Sequence, residues 1–125
     1  MLDVKSIPKA QLDSMVARSV WGYVVIIDTV TGESYIMGRD HIKMSIPEYS
    51  TDITTAYEIA EHLRQFGFTL QLKNQIRDGN SYWTACFTKA GDGKVYVPVE
   101  GDTLPESICR AAISAAYGTN VRDLR

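Results

Sequence analysis

Leu12, Met15, Val16 and Val20 fall at i, i+3, i+4 and i+8, an apolar stripe that predicts a helix from about Pro8 to Val20. Ser6 is placed to cap it, Pro8 suits its first turn, and Gly22 can take the left-handed stop. The period then changes. "YVVIID" (Tyr23 to Asp28) is short and β-branched, so it reads as a strand. "TVTGES" turns the chain, with Gly32 at positive φ, and "SYIM" returns as the second strand of a hairpin. In "HIKMSI", Ile42, Met44 and Ile46 alternate with Lys43 and Ser45, a further strand that Pro47 stops. Residues 38–49 are the one candidate for a long functional loop.

Helical spacing resumes in "YSTDITTAYEIAEHLRQFGF". Asp52 is the expected N-cap, with Ser50 and Thr51 as competitors. Ile53, Ala56, Tyr57, Ala60 and Leu63 form the expected inward stripe, Glu58, Glu61, His62 and Arg64 the wet side, and Gly67 the stop. Strict alternation follows: Phe68, Leu70 and Leu72 against Thr69, Gln71 and Lys73, then Trp83, Ala85 and Phe87 against Tyr82, Thr84 and Cys86. "RDGN" and "AGDG" are short turns, which implies an antiparallel meander. Val95, Val97 and Val99 share a face of a third strand, and Pro98 makes that strand an edge or gives it a bulge. "TLPESICRAAISAAYG" closes the pattern as a helix. Thr103 and Glu106 form a capping box, Leu104, Ile108, Ala111, Ala112 and Ala115 a narrow face of mostly small residues, and Gly118 the end. Residues 120–125 read as a frayed tail. The expected fold is a single α+β domain over 1–125. Its mainly antiparallel sheet, an N-terminal hairpin plus a C-terminal three-strand meander, packs with three helices as an αβα sandwich.

A length of 125 residues suits one domain, and 45% apolar with 22% charged residues suits an ordinary globular core. A net charge of −2 argues against a surface that tracks long duplex nucleic acid, yet leaves room for a small anionic ligand held by one or two arginines. No run reaches the ~18 apolar residues of a membrane span, and the first residues lack the basic-then-apolar pattern of a signal peptide. The two cysteines, Cys86 and Cys109, sit in apolar periodic segments and read as reduced, buried thiols.

Catalytic chemistry finds little support. His41 and His62 are isolated and the cysteines have no near partner, so neither a metal centre nor a cofactor is expected. There is no nucleophile elbow and no phosphate-binding glycine loop. Glu58 and His62 read as a solvated i, i+4 pair. An enzyme would have to use Cys109 or His62 with Asp52 or Glu58, and the expectation is that the protein is not one. What remains is aromatic and cationic: Trp21, Tyr23, Tyr35, Tyr49, Tyr82, Trp83 and Tyr96, with Arg39, Arg77 and Arg110. Such residues stack on bases and pair with phosphates, and equally they build protein interfaces. Tyr49, Asp52, Trp83 and Arg110 are the candidate ligand- or partner-binding residues. Arg110 must find a carboxylate, a carbonyl or a ligand.

Four segments in order carry a resemblance. "AQLDSMVARSVWGY", "YSTDITTAYEIAEHL", "SYWTACF" and "PESICRAAISA" together resemble the phage ABA sandwich family, small proteins of tailed phages and prophages, from about Gln11 to Ala116. "TGESYIMGRDHIKMSI" matches no part of that pattern. The resemblance implies a three-layer sandwich and a phage or prophage product acting in the host bacterial cytoplasm, and it implies no particular reaction. The function expected is therefore non-enzymatic: binding of a host protein or a nucleotide-like ligand, with inhibition of host defence as a use for it. The alternative is a structural or assembly homo-oligomer, through helix 103–118 or a sheet edge.

Overall fold

The computed structural model describes residues 3–38, 40, 42–94 and 96–118. The tail over 120–125, Arg39, His41 and Val95 lie outside the described residues. After a 3-10 turn at Val4–Ser6, the chain forms α1 (Lys9–Ser19), β1 (Val24–Ile27), β2 (Ser34–Met37) and β3 (Lys43–Ser45). It continues through α2 (Ile53–Arg64), β4 (Phe68–Arg77), β5 (Asn80–Lys89), β6 (Val99–Gly101) and α3 (Leu104–Gly118). This is the α+β arrangement that the pattern predicts. The strands are divided into two antiparallel sheets, β1-β2-β3 and β4-β5-β6. Packing runs from the second sheet to α3, from α3 to α1, and from α1 to the first sheet, while α2 lies against α3 and β4.

Local signals hold at most turns. Gly22 has φ 77°, and the Tyr23 N–H returns to the Ala17 carbonyl at 2.9 Å. The Asp52 carboxylate accepts the Thr54 N–H at 3.0 Å, so Asp52 is the cap of α2. α1 starts without a side-chain cap, at Pro8 instead of Ser6, because Ser6 is taken up in the preceding turn, where its hydroxyl donates to the Asp3 carbonyl. The third helix uses half of its capping box. Thr103 Oγ1 accepts the Glu106 N–H at 3.3 Å, but the Glu106 carboxylate turns to Arg110 instead of back to the cap.

Three expectations are corrected. The narrow face of α3 is in fact a nearly all-round burial. Ser107, Ile108, Cys109, Ala112 and Ile113 are inaccessible to solvent, and Glu106, Arg110, Ala111, Ala115 and Ala116 are buried too. A helix enclosed by β5, β6, α1 and α2 has no wet side to be patterned for. Its alanines are therefore occupied within the chain, which removes that face as an oligomer contact. The inward face of α2 is Ala56, Ile59 and Leu63, whereas Ile53 and Tyr57 are exposed. Ile59 shares the i, i+3, i+7 row with Ala56 and Leu63, and that row faces α3. The third strand of the meander is only Val99–Gly101. Val97 is exposed, because Pro98 has no N–H to donate and the ladder with β5 starts after it.

Close packing of α3 depends on one glycine. A Cβ at Gly101 would lie 2.4 Å from the Ser107 nitrogen and 2.7 Å from its Cα. The first turn of the helix thus rests directly on the β6 backbone. Both cysteines are free thiols and buried, as their apolar settings predict.

Candidate functional site

α1 ends in a turn that carries Trp21, and positive φ at Gly22 swings the chain on toward β1. The segment before α2 is pinned to α1, since the Ser50 N–H donates to the Asp13 carboxylate at 2.7 Å. That bond sets Tyr49 inside, 2% exposed, with its ring 6.4 Å from Trp21. Tyr23 stacks on Trp21 at 6.1 Å with ring planes 7° apart. The tightest contact comes from α2. His62 lies 4.0 Å from the Trp21 ring at 23°, with Phe66 edge-on to the imidazole at 5.3 Å. His62, expected on the wet side, is half-buried by this stack.

Outside the stack the surface is open. Thr54, Tyr57, Glu58, Glu61, His62 and Gln65 follow one another along one side of α2, and with Trp21 they line a groove of about 380 Å³. Tyr57 is 45% exposed there. Glu61 is paired with Arg64 at 2.8 Å, while among the described residues Glu58 takes part in no ion pair. Burial lowers the His62 pKa, against a smaller opposing effect of its bond to the Val20 backbone, so the imidazole is held neutral. Burial pushes the Tyr49 hydroxyl up, and the neighbouring Tyr23 and Glu58 add to the effect. The groove is thus an aromatic surface with an acidic rim and no charge of its own in the stack.

A second hollow, of about 290 Å³, opens at the start of α3 among Lys5, Lys9, Tyr82, Glu100, Glu106 and Arg110. Here the charges answer one another. Arg110 Nε donates to Glu106 at 2.9 Å, and its Nη1 donates to the carbonyls of Val4 at 2.5 Å and Ile7 at 2.9 Å. Lys9 reaches Asp102 at 2.8 Å and the second Glu106 oxygen at 3.5 Å. Arg77 holds Glu100 at 2.8 Å and sits over the Tyr82 ring. The demand that Arg110 places on its surroundings is met by the N-terminal segment, which it ties to α3.

The four residues singled out in the sequence are therefore dispersed. Tyr49 enters the Trp21 stack, and Asp52, three residues on, is exposed and caps α2. Trp83 is half-buried in β5, in register with Asn74 and Gly101, on the side of the sheet that carries Ala85 and Phe87. Arg110 belongs to the second hollow. The pairing of Trp21 with His62 is the feature that sequence reasoning missed. One residue ends α1 and the other lies on α2, so no spacing within an element connects them.

Cys109 is inaccessible, and burial pushes its thiol up, with Asp13 adding and Arg110 opposing. Among the described residues no three His, Cys, Asp or Glu side chains gather as a metal cage, and no helix is long and apolar enough to cross a membrane. A family model described as the phage ABA sandwich domain matches residues 14–113, most of the chain. No curated protein and no solved structure matches it.

Proposed function

Because the chain belongs to the phage ABA sandwich family, we propose that it is a non-enzymatic phage or prophage protein that binds a host protein in the bacterial cytoplasm. The groove between Trp21 and α2 is the contact, and blunting of a host defence is the use such binding would serve. One observation carries the reading: an exposed Tyr57 and the Trp21–His62 stack lie beside Glu58, a carboxylate that no cation among the described residues pairs with. Aromatic faces with a carboxylate rim suit an arginine or lysine side chain, which gains about 1–2 kcal/mol from a ring once desolvated. Tyr and Trp are also the residue types that anchor protein interfaces. The same rim disfavours the nucleotide-like alternative, since Glu58 and Glu61 would face the phosphates. The cations nearest the second hollow's carboxylates are already paired with them.

The test compares the wild-type chain with Tyr57→Ala and Glu58→Lys, each expressed in the phage's bacterial host and cross-linked before purification. A host protein held by the wild type and lost from both variants, with thermal stability unchanged, is the expected result. Equal capture by all three, or a nucleotide recovered from the purified protein with no host protein attached, would overturn the reading.

A further inference from the structure

In the order β4-β5-β6, β4 is an edge strand of ten residues, so among the described residues one whole side of its backbone has no strand partner. The direction of those free groups follows from the turn. β4 and β5 are joined by Asp78-Gly79 alone, with φ of 52° and 82°, the two left-handed residues of a two-residue hairpin closed by the Arg77–Asn80 pair. The pair that flanks such a turn exchanges both of its backbone hydrogen bonds. Arg77 is thus bonded toward β5, and by the two-residue period so are Gln75, Lys73 and Gln71. Leu70, Leu72, Asn74 and Ile76 direct their N–H and C=O groups to the open side.

We propose that a second copy of this chain pairs antiparallel along that edge, about a two-fold axis at Asn74. In this register Asn74 lies opposite its own counterpart, Leu72 opposite Ile76, Lys73 opposite Gln75 and Gln71 opposite Arg77. Three features select it. Ile76, 77% exposed in the single chain, gains an apolar partner on the same side of the sheet. Each cation meets an amide, whereas a shift of the axis to Lys73 sets that lysine against itself, and a shift to Gln75 sets it against Arg77. An axis moved back to Leu72 runs the second strand into the Gln65–Gly67 turn that leads from α2 into β4. Lysine on an edge strand ordinarily blocks pairing. Here Lys73 and Arg77 permit one register and penalise its neighbours, and Arg77 is already neutralised by Glu100. The surface is separate from the Trp21–α2 groove, so this inference stands or falls apart from the proposed function.

Sedimentation equilibrium of the full chain, with amide exchange followed by NMR, tests it. A dimer is expected, with the Leu72, Asn74 and Ile76 amides exchanging more slowly as concentration rises. Asn74→Pro removes an outward N–H that the chain's own ladder does not use, and should give a monomer that unfolds at a similar temperature. Should the proline disturb folding, Gln71 provides a second reading. Gln71→Lys opposes Arg77 of the other copy and weakens the dimer about tenfold, while Gln71→Glu tightens it. A monomer at the highest soluble concentration, a dimer insensitive to both Gln71 changes, or β4 amides that exchange alike at all concentrations would overturn the proposal. So would a host peptide, instead of a second copy, protecting those amides.

Discussion

Arg110 and Glu58 are both charged residues on helices that border the core, and their surroundings differ in kind. Arg110 is 5% exposed, and each of its bonds ends inside the chain, on Glu106 and on the carbonyls of Val4 and Ile7. Glu58 is exposed, beside the Trp21–His62 stack, and among the described residues no cation pairs with it. A buried guanidinium cannot be left uncompensated, so the fold built around Arg110 closes on itself. An exposed carboxylate carries no such demand, and water satisfies it until something else does. A charge with internal partners is therefore part of what holds this protein together, and a charge without them, beside exposed aromatics, is available to an outside molecule.

That contrast can be broken most forcefully at the closed end. Arg110→Met leaves two carbonyls without their donor and Glu106 with Lys9 alone, at 3.5 Å, and should cost about 3–5 kcal/mol in urea unfolding. A loss below about 1 kcal/mol would mean that Arg110 is not holding the N-terminal segment to α3. Gly101→Ala should cost about 3 kcal/mol by the same measurement, because the new Cβ meets backbone, not a side chain that can rotate away. An unchanged midpoint would show that α3 can lift from β6. Asp52→Ala removes the cap of α2 and should cost about 1 kcal/mol, while the Trp21 stack persists.

The open end responds more weakly, and to pH. The His62 pKa is held below its usual 6.5 in the folded chain, so between that value and the lower folded one the unfolded chain takes up the proton first. Stability should thus be complete above pH 6.5 and decline as pH falls through the window. In His62→Phe, which keeps a ring against Trp21, this part of the decline should vanish. An identical pH profile for the two proteins would separate His62 from it. Smallest of all, Glu58→Lys should alter stability by less than about 0.5 kcal/mol. If it destabilised as much as Arg110→Met, the distinction between the two ends would collapse.

The "YSTD" segment shows how far local reading reaches. Asp52 as a cap is legible because the side chain bonds to an N–H two residues away. Tyr49 is legible only as an aromatic of uncertain purpose, since its neighbour Trp21 comes from another element. In "CRAA" the chain announces an arginine in an apolar setting, and hence a need for partners. It does not announce that they are Glu106 and two carbonyls at the other end of the chain. The stripe on α2 fails for a related reason. Tyr57 and Ile59 are both apolar enough to face inward, and only the position of α3 decides in favour of Ile59.

Residue order alone located the helices and strands, though not the start of α1 or of β6, because caps, turns and alternation act over a few neighbouring residues. It also determined that the paired strands run antiparallel, since the links between them are too short for the crossover that a parallel pair needs. Tertiary structure decided that the strands divide into two sheets, that α3 is enclosed on nearly every side, and that Trp21 meets His62. Those outcomes depend on which surfaces exclude water from one another, and distant segments compete for that on equal terms. A periodicity of 3.6 or 2 gives a residue its direction along an element, not the identity of what it meets.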